Sequence, residues 1–177
     1  YLLSWLTEHK PQYIKLLNKL RKRGQIEIVS AGMYEPILTL LTEEDGIAQI
    51  KMHMDYVETI FQERPKGMWL AERVYEPHIP KILNKAGVLY TLVDDYHFKA
   101  VGVPEKELYR YFVTEHEGHK LFIFPGLEFL RYAIPFKPID EIDKYFRGIE
   151  DSGNDLAVFG DDGEKFGLWP GTYEHVY

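Results

Sequence analysis

The sequence predicts an α/β protein, a parallel sheet covered by helices and built as one domain over residues 1–177. Three observations carry this expectation. Helix-period and strand-type segments alternate along most of the chain. Four apolar strand-like runs, GQIEIVSAG, MWLAER, LYTLVDD and LAVFGDDGE, each end in polar or charged residues. Strands end that way when their carboxyl ends face a shared site. Finally, 177 residues that are 45% hydrophobic suffice to bury a core.

The elements follow in order. Apolar residues at 13, 14, 16, 17 and 20 give a helix over Gln12–Arg23, preceded by Pro11 and stopped by Gly24. GQIEIVSAG is expected as a strand because β-branched residues recur at 26, 28 and 29. Pro36 is placed to open a short helix. Thr42-Glu43-Glu44-Asp45 resembles a capping box, with Asp where Glu or Gln is usual. Ile47, Ile50, Met54, Val57 and Phe61 then mark one face of a long helix. GMWLA is a strand, Pro77–Lys85 a helix ended by Ala86-Gly87, and VLYTLVDD another strand. YRYFVTEHEGHKLFIFP reads as a hairpin turning at Glu117-Gly118. Pro138–Arg147 is a helix, EDSGND a loop, and DLAVFGDDGEKFG a last strand with its loop. Tyr-Glu-Pro occurs twice, in SAGMYEP and LAERVYEP, as two copies of a strand-to-helix turn.

Composition excludes several classes. A net charge of −7 argues against nucleic acid as a partner, because phosphate binding needs a basic face. The absence of cysteine rules out disulfides and thiolate metal sites. No apolar run approaches the ~18 residues of a membrane span, so no membrane partner is expected. The chain begins at Tyr1 rather than Met and is expected to be a piece of a longer protein.

The strand ends hold the chemistry. A carboxylate at the end of a buried strand is costly without a partner. Repeated acids at such ends suggest a cleft suited to general acid–base or nucleophilic carboxylate catalysis. The plainer reading is that these acids cap the helices that follow. Capping does not account for Trp69 and Trp169, which stand close to two of the clusters. Asp94, Asp95 and His97 invite a metal reading, but Asp-Asp-x-His alone lacks the convergent second His that zinc needs. No metal or other cofactor is expected.

GQIEIV at 24–29, WLAERV at 69–74 and FGDDGEKFGLW at 159–169, in that order, resemble glycoside hydrolase family 57, in its 4-α-glucanotransferase and α-amylase branch. YEPIL, VDDYHF, RYAIPF and LWPGTYEHVY extend the resemblance over nearly the whole chain. It implies an incomplete (β/α)7 barrel, of which this chain is the central part. The family's early His-Gln-Pro strand and its last motif are not present, so the segment lacks the first strand and the C-terminal part. The resemblance also implies a retaining double displacement on α-glucans: starch, glycogen and maltooligosaccharides. Retention needs two carboxyls roughly 5–5.5 Å apart.

Carried onto this sequence, the nucleophile is Glu72 and the acid/base is Asp162, 90 positions later. Arg73 would keep Glu72 ionised, or else pair with Glu76 or another surface acid. Asp161, Glu164 and the charge on Glu72 would favour the protonated form of Asp162. Trp69 and Trp169 are candidates to stack on sugar faces, with core packing as the alternative. Glu27 is a candidate for a glucose hydroxyl, with a strand-edge salt bridge as the alternative. Glu164 and Lys165 are candidates for substrate contacts or for supporting contacts behind them, and with Arg73 they complete the substrate-binding set. Some glucanotransferase relatives carry His where this chain has Gly160, which leaves the subgroup open. Hydrolase and transferase are not separable from the residues, nor is the oligomeric state. A cytoplasmic location is expected. Two alternatives stand beside this reading: a metal-dependent polysaccharide deacetylase, and a glucan-binding relative without catalysis.

Overall fold

The structure, a computed structural model, describes residues 1–177. Its helices are α1 Leu2–His9, α2 Pro11–Lys22, α3 Glu43–Phe61, α4 Ile79–Ala86, α5 Asp95–Ala100, α6 Glu128–Ala133, α7 Ile139–Asp151 and α8 Tyr173–Val176. Its strands are β1 Gly67–Met68, β2 Tyr90–Asp94, β3 Phe112–His116 and β4 His119–Gly126, hydrogen-bonded in the order β1-β2-β4-β3. The chain divides into two compact units, Tyr1–Thr91 with Glu115–Leu121, and Leu92–Thr114 with Phe122–Tyr177. No helix is long and apolar enough to cross a membrane.

In the first unit, α2 ends as its sequence requires. Gly24 takes φ +69 and the Gln25 amide returns to the Leu20 carbonyl at 3.0 Å. The N-cap of α3 departs from the capping-box expectation. Thr42 Oγ1 accepts from the Asp45 amide at 3.2 Å and donates to Asp45 Oδ2 at 2.9 Å. Asp45 is one methylene shorter than Glu, and its carboxylate meets the hydroxyl instead of the Thr42 amide. Gly46, Ile50, Met54, Val57 and Phe61 form the buried face of α3. Ile82 of α4 packs where a Cβ on Gly46 would stand, 3.2 Å away. At the other end, Ile14, Val57 and Phe61 gather Leu3, Leu6, Leu17, Ile28 and Ile60 around them. Exposed and half-buried charges lace this unit together. Lys81 reaches Glu43 at 2.8 Å and Glu117 at 2.7 Å, and Lys85 reaches Glu43 at 2.6 Å. The hydrogen bonds from Lys81 and Lys85 hold the Glu43 carboxyl down at about 2.

The strands are shorter than expected. β1 pairs parallel with β2, Gly67 opposite Tyr90 and Met68 opposite Thr91. GQIEIVSAG meets β1 only at Ser30, which donates to Gly67 O and accepts from the Trp69 amide, both at 2.8 Å. A partner of two residues has no further rungs to offer. Tyr90 explains Gly67: a Cβ there would lie 2.3 Å from the tyrosine ring. The two Tyr-Glu-Pro turns do not put proline at a helix start. Pro36 lies against Gly32 in a turn closed by Glu35 N to Gly32 O at 3.1 Å, and a 3-10 turn follows only at Leu38–Leu40. After Pro77, α4 waits until Ile79.

β3 and β4 form the expected hairpin, of which the turn segment Glu115–Leu121 belongs to the first unit. Glu117 at φ 49 and Gly118 at φ 81 are both left-handed, as a two-residue hairpin turn requires. α6 was not anticipated from sequence, and α7 runs past its expected end to Asp151. LAVFG touches the sheet at one residue, Val158, parallel to Gly126. Val93, Phe98, Leu108, Leu127, Leu130 and Ala133 are buried in the second unit.

The α3 face sets a stability test. Ile50 is fully buried whereas Ile47 is only half-buried. In the full-length protein, Ile50→Ala is expected to cost about 2–5 kcal/mol by urea unfolding, and Ile47→Ala clearly less. Equal losses would place the helix face elsewhere.

Candidate active site

The expected site residues divide between the two units: Glu27, Trp69, Glu72 and Arg73 in the first, Asp162, Glu164, Lys165 and Trp169 in the second. After β1 the chain does not run on as a strand. Residues Ala71–Arg73 form one 3-10 turn, in which Glu72 takes φ 53 and ψ 9 and Arg73 takes φ 52. Two consecutive left-handed residues that both carry a Cβ cost about 1–3 kcal/mol each. The turn separates two charges. Arg73 is 8% exposed, and its guanidinium lies 5.4 Å from the centroid of the half-buried Trp69 ring. Glu72 is exposed.

Helix capping does not account for Glu72, Asp94 or Asp162. α4 starts seven residues after Glu72, and its N-cap is His78. Asp94 and Asp162 occupy N-cap positions, yet neither caps with its side chain. Asp94 accepts instead from Arg131 at 3.0 Å. Asp95 Oδ2 pairs with Lys99 at 3.0 Å and accepts from the Glu128 amide at 3.3 Å. No group of three or more His, Asp or Glu side chains is arranged to hold a metal ion.

Glu27 is exposed and accepts from the Tyr90 hydroxyl, not from a strand-edge cation. Burial first, and the Glu27 carboxylate second, push the Tyr90 phenol up to about 12.

The second cluster is built over a buried ion pair. The Asp161 and Lys165 side chains are 1% and 3% exposed and bond to each other. Lys165 also donates to the Arg131 carbonyl. Its ammonium lies 5.6 Å from the Phe136 centroid and 5.8 Å from the Trp169 centroid. The charged end of Lys165 is therefore enclosed. It neutralises Asp161, so that carboxylate is not the bare like charge expected beside Asp162. Asp161 Oδ1 in turn accepts the Asp162 amide at 3.0 Å. Asp162 is half-buried, Glu164 is exposed, and Trp169 is 41% exposed. The buried Thr172 hydroxyl ties this loop, donating to Trp169 O at 2.7 Å and accepting from Gly167 N at 3.1 Å.

Sequence reasoning missed three supports. The Asp161–Lys165 pair was open to detection, since the two stand four apart. Arg131 gives no such signal. Nor does His53, whose Nδ1 accepts the Ala31 amide at 3.1 Å and meets Ser30 Oγ at 3.1 Å. Burial holds the His53 imidazole below its ordinary value.

A family model for Glycosyl hydrolase family 57 matches residues 1–177. The chain belongs to Glycosyl hydrolase family 57. It is 48% identical over 178 residues to a protein named alpha-amylase from Pyrococcus furiosus, and 48% identical over 177 residues to one named 4-alpha-glucanotransferase from Thermococcus litoralis. Each match covers 99% of this chain and 27% of the relative, so the chain spans about a quarter of these curated relatives. The crystal structure of the Thermococcus litoralis 4-alpha-glucanotransferase is similar with a TM-score of 0.92 at 48% identity, over 99% of this chain and 28% of that one. The fold is accordingly a segment of the family 57 (β/α)7 barrel. Membership supports glycosidase chemistry and not the deacetylase alternative.

The buried pair yields a second test. Lys165→Met in the full-length protein leaves the Asp161 carboxylate buried without its cation, and should cost about 3–5 kcal/mol. Adding Asp161→Asn should recover part of that loss, read as a coupling energy in a double-mutant cycle of unfolding. Strict additivity would mean that the pair does not act as a unit.

Proposed function

We propose that the full-length protein is a retaining α-glucan enzyme acting on starch, glycogen or maltooligosaccharides. It passes a glucanosyl unit to another sugar, as a 4-α-glucanotransferase, or to water, as an α-amylase. The observation that carries this reading is the Glu72 turn. Backbone strain is held where it exposes one carboxylate at a strand end, with no capping role to explain it.

In this mechanism Glu72 attacks the anomeric carbon while the glycosidic C–O bond breaks and Asp162 gives its proton to the leaving oxygen. A glycosyl ester on Glu72 results. Asp162, now ionised, takes a proton from the incoming hydroxyl, whose oxygen displaces Glu72 and restores the original anomer. Trp69 and Trp169 offer ring faces to sugar C–H groups. Glu27 and Glu164 offer exposed acceptors to sugar hydroxyls. Arg73 fixes the Trp69 ring, and Lys165 positions Asp162 through Asp161.

Glu72→Ala in the full-length protein is expected to abolish turnover with the fold intact by circular dichroism. Sodium azide should partly restore it on an activated glycoside, giving the glycosyl azide of inverted anomer. Undiminished turnover without azide would remove Glu72 as nucleophile. Asp162→Asn should slow substrates with poor leaving groups by about 10²–10⁴-fold and activated aryl glycosides far less. Equal losses on both would assign Asp162 to binding. Incubation with maltotriose separates the two outcomes: glucose plus longer oligomers marks a transferase, and a net gain of reducing ends marks a hydrolase.

A further inference from the structure

The second unit contains a cavity of about 330 Å³ that none of the residues assigned above to catalysis or glucan contact lines. It lies at the lower end of the ~300–1,000 Å³ that ligand cavities span. α5, α6 and α7 all contribute to its wall. Asp95, Glu105 and Glu128 stand on the wall with Lys99 and Lys137. Between the charges are rings. Phe129 stacks on Tyr145 with centroids 4.1 Å apart and planes at 27°, and Tyr132 is 68% exposed. The Tyr145 hydroxyl is hydrogen-bonded with Tyr109. That tyrosine pair also borders a second depression of about 550 Å³, walled by Glu141, Lys144 and Gly148.

One feature of the wall is unfinished. Asp95 is 3% exposed, and its Oδ1 is buried with no hydrogen-bond partner. Its Oδ2 is already held by Lys99 and the Glu128 amide. A buried acceptor without a donor is costly, and a wall residue of a cavity can obtain that donor from a ligand.

The charge pattern selects the ligand. An anion would face three carboxylates, and a cation would meet Lys99 and Lys137. An apolar molecule would leave Asp95 Oδ1 unpaired. A neutral polyhydroxylated ring satisfies both signs at once. Its hydroxyls donate to the carboxylates and accept from the ammonium groups, and its C–H face lies against an aromatic plane. We propose that this cavity is a second carbohydrate site, distinct from the one built around Asp162, that takes a glucose unit of an α-glucan. The choice of glucan over another sugar rests on the function proposed above. The neighbouring depression across Tyr109 and Tyr145 gives the next glucose unit a place, so maltotriose binds there more tightly than glucose.

α6 connects this cavity to the other cluster within the same unit. Glu128, Phe129, Tyr132 and Ala133 of α6 line the cavity, while the Arg131 carbonyl holds Lys165. A glucan seated in the cavity therefore rests on the helix that also anchors the Asp161–Lys165 pair.

The test uses the full-length Glu72→Ala protein, which does not consume substrate, titrated with maltotriose in a calorimeter. Two classes of site are expected. Tyr132→Ala, a change at an exposed ring, should weaken one class by about tenfold and leave the other unchanged. Asp95→Asn, which keeps the shape and the Oδ1 acceptor but loses the charge at Oδ2, should weaken the same class. In the active protein, Tyr132→Ala should leave kcat/KM on maltotriose unchanged and lower it on glycogen, which alone spans both sites. A single class of site in a protein that turns maltotriose over would overturn the second site and leave the proposed function standing. A full-length protein that neither binds nor converts maltotriose would overturn both.

Discussion

Arg73 is a guanidinium buried at the end of a strand, and a buried cation needs partners on several sides. An extended continuation of β1 would carry successive side chains to opposite faces and leave the charge no fixed cradle. The left-handed pair Glu72-Arg73 breaks that alternation within a single turn. It sets the guanidinium over Trp69, which Ser30 fixes through its backbone. Ser30 is in turn fixed by β1 and by His53 from α3. The strain at Glu72 is thus opposed by a chain of contacts that runs back into α3. The exposed carboxylate is the residue left over once the cation is satisfied.

The same logic operates in the other unit with the signs reversed. There the buried member at the strand end is an acid, Asp161, and the cation that answers it is Lys165, one 3-10 turn later. The pair is fully enclosed, and its spare hydrogen-bonding capacity is absorbed by the Arg131 carbonyl and the Asp162 amide. A buried pair of this kind adds little net stability against an apolar replacement. Its value lies in geometry, because the Asp162 backbone is held by a group that cannot move without uncovering a charge. In both units the proposed reactive carboxylate sits directly beside the buried charged group and is not itself fully buried.

This arrangement explains what was legible in the sequence and what was not. α3 was readable because Ile50, Met54, Val57 and Phe61 repeat at helical spacing over many turns. The hairpin was readable because Glu117-Gly118 can turn only in a few ways. The strand lengths were not, since GQIEIVSAG and LAVFG have strand composition but meet a partner at one residue each, and pairing is a property of the neighbour. α6 was missed because six residues show too little period. The candidate site followed the same division. Glu72 and Asp162 were visible as acids ending apolar runs. The inward turn of Lys165 was not, because a lysine in an acidic loop reads as solvated until its burial is known.

The repeated Tyr-Glu-Pro shows how one local sequence serves two ends. In SAGMYEP the strained residue is Glu35 at φ 54, next to the proline, and Pro36 closes on Gly32. The Met33 amide and the Tyr34 amide are both held by Gln49, through its backbone and its side chain at 3.1 Å. That turn is braced by a bare glycine and one glutamine of α3, and it buries no charge. In AERVYEP the position matching Gly32 is Arg73, and the left-handed residues stand four and three places earlier, at Glu72 and Arg73 themselves. Replacing a glycine by a long cation makes the turn bury a charge, and burying that charge moves the strain onto the neighbouring carboxylate. The second copy differs from the first at the residues where the proposed chemistry lies, which is the difference expected if backbone strain there is spent on presenting Glu72 rather than on turning the chain.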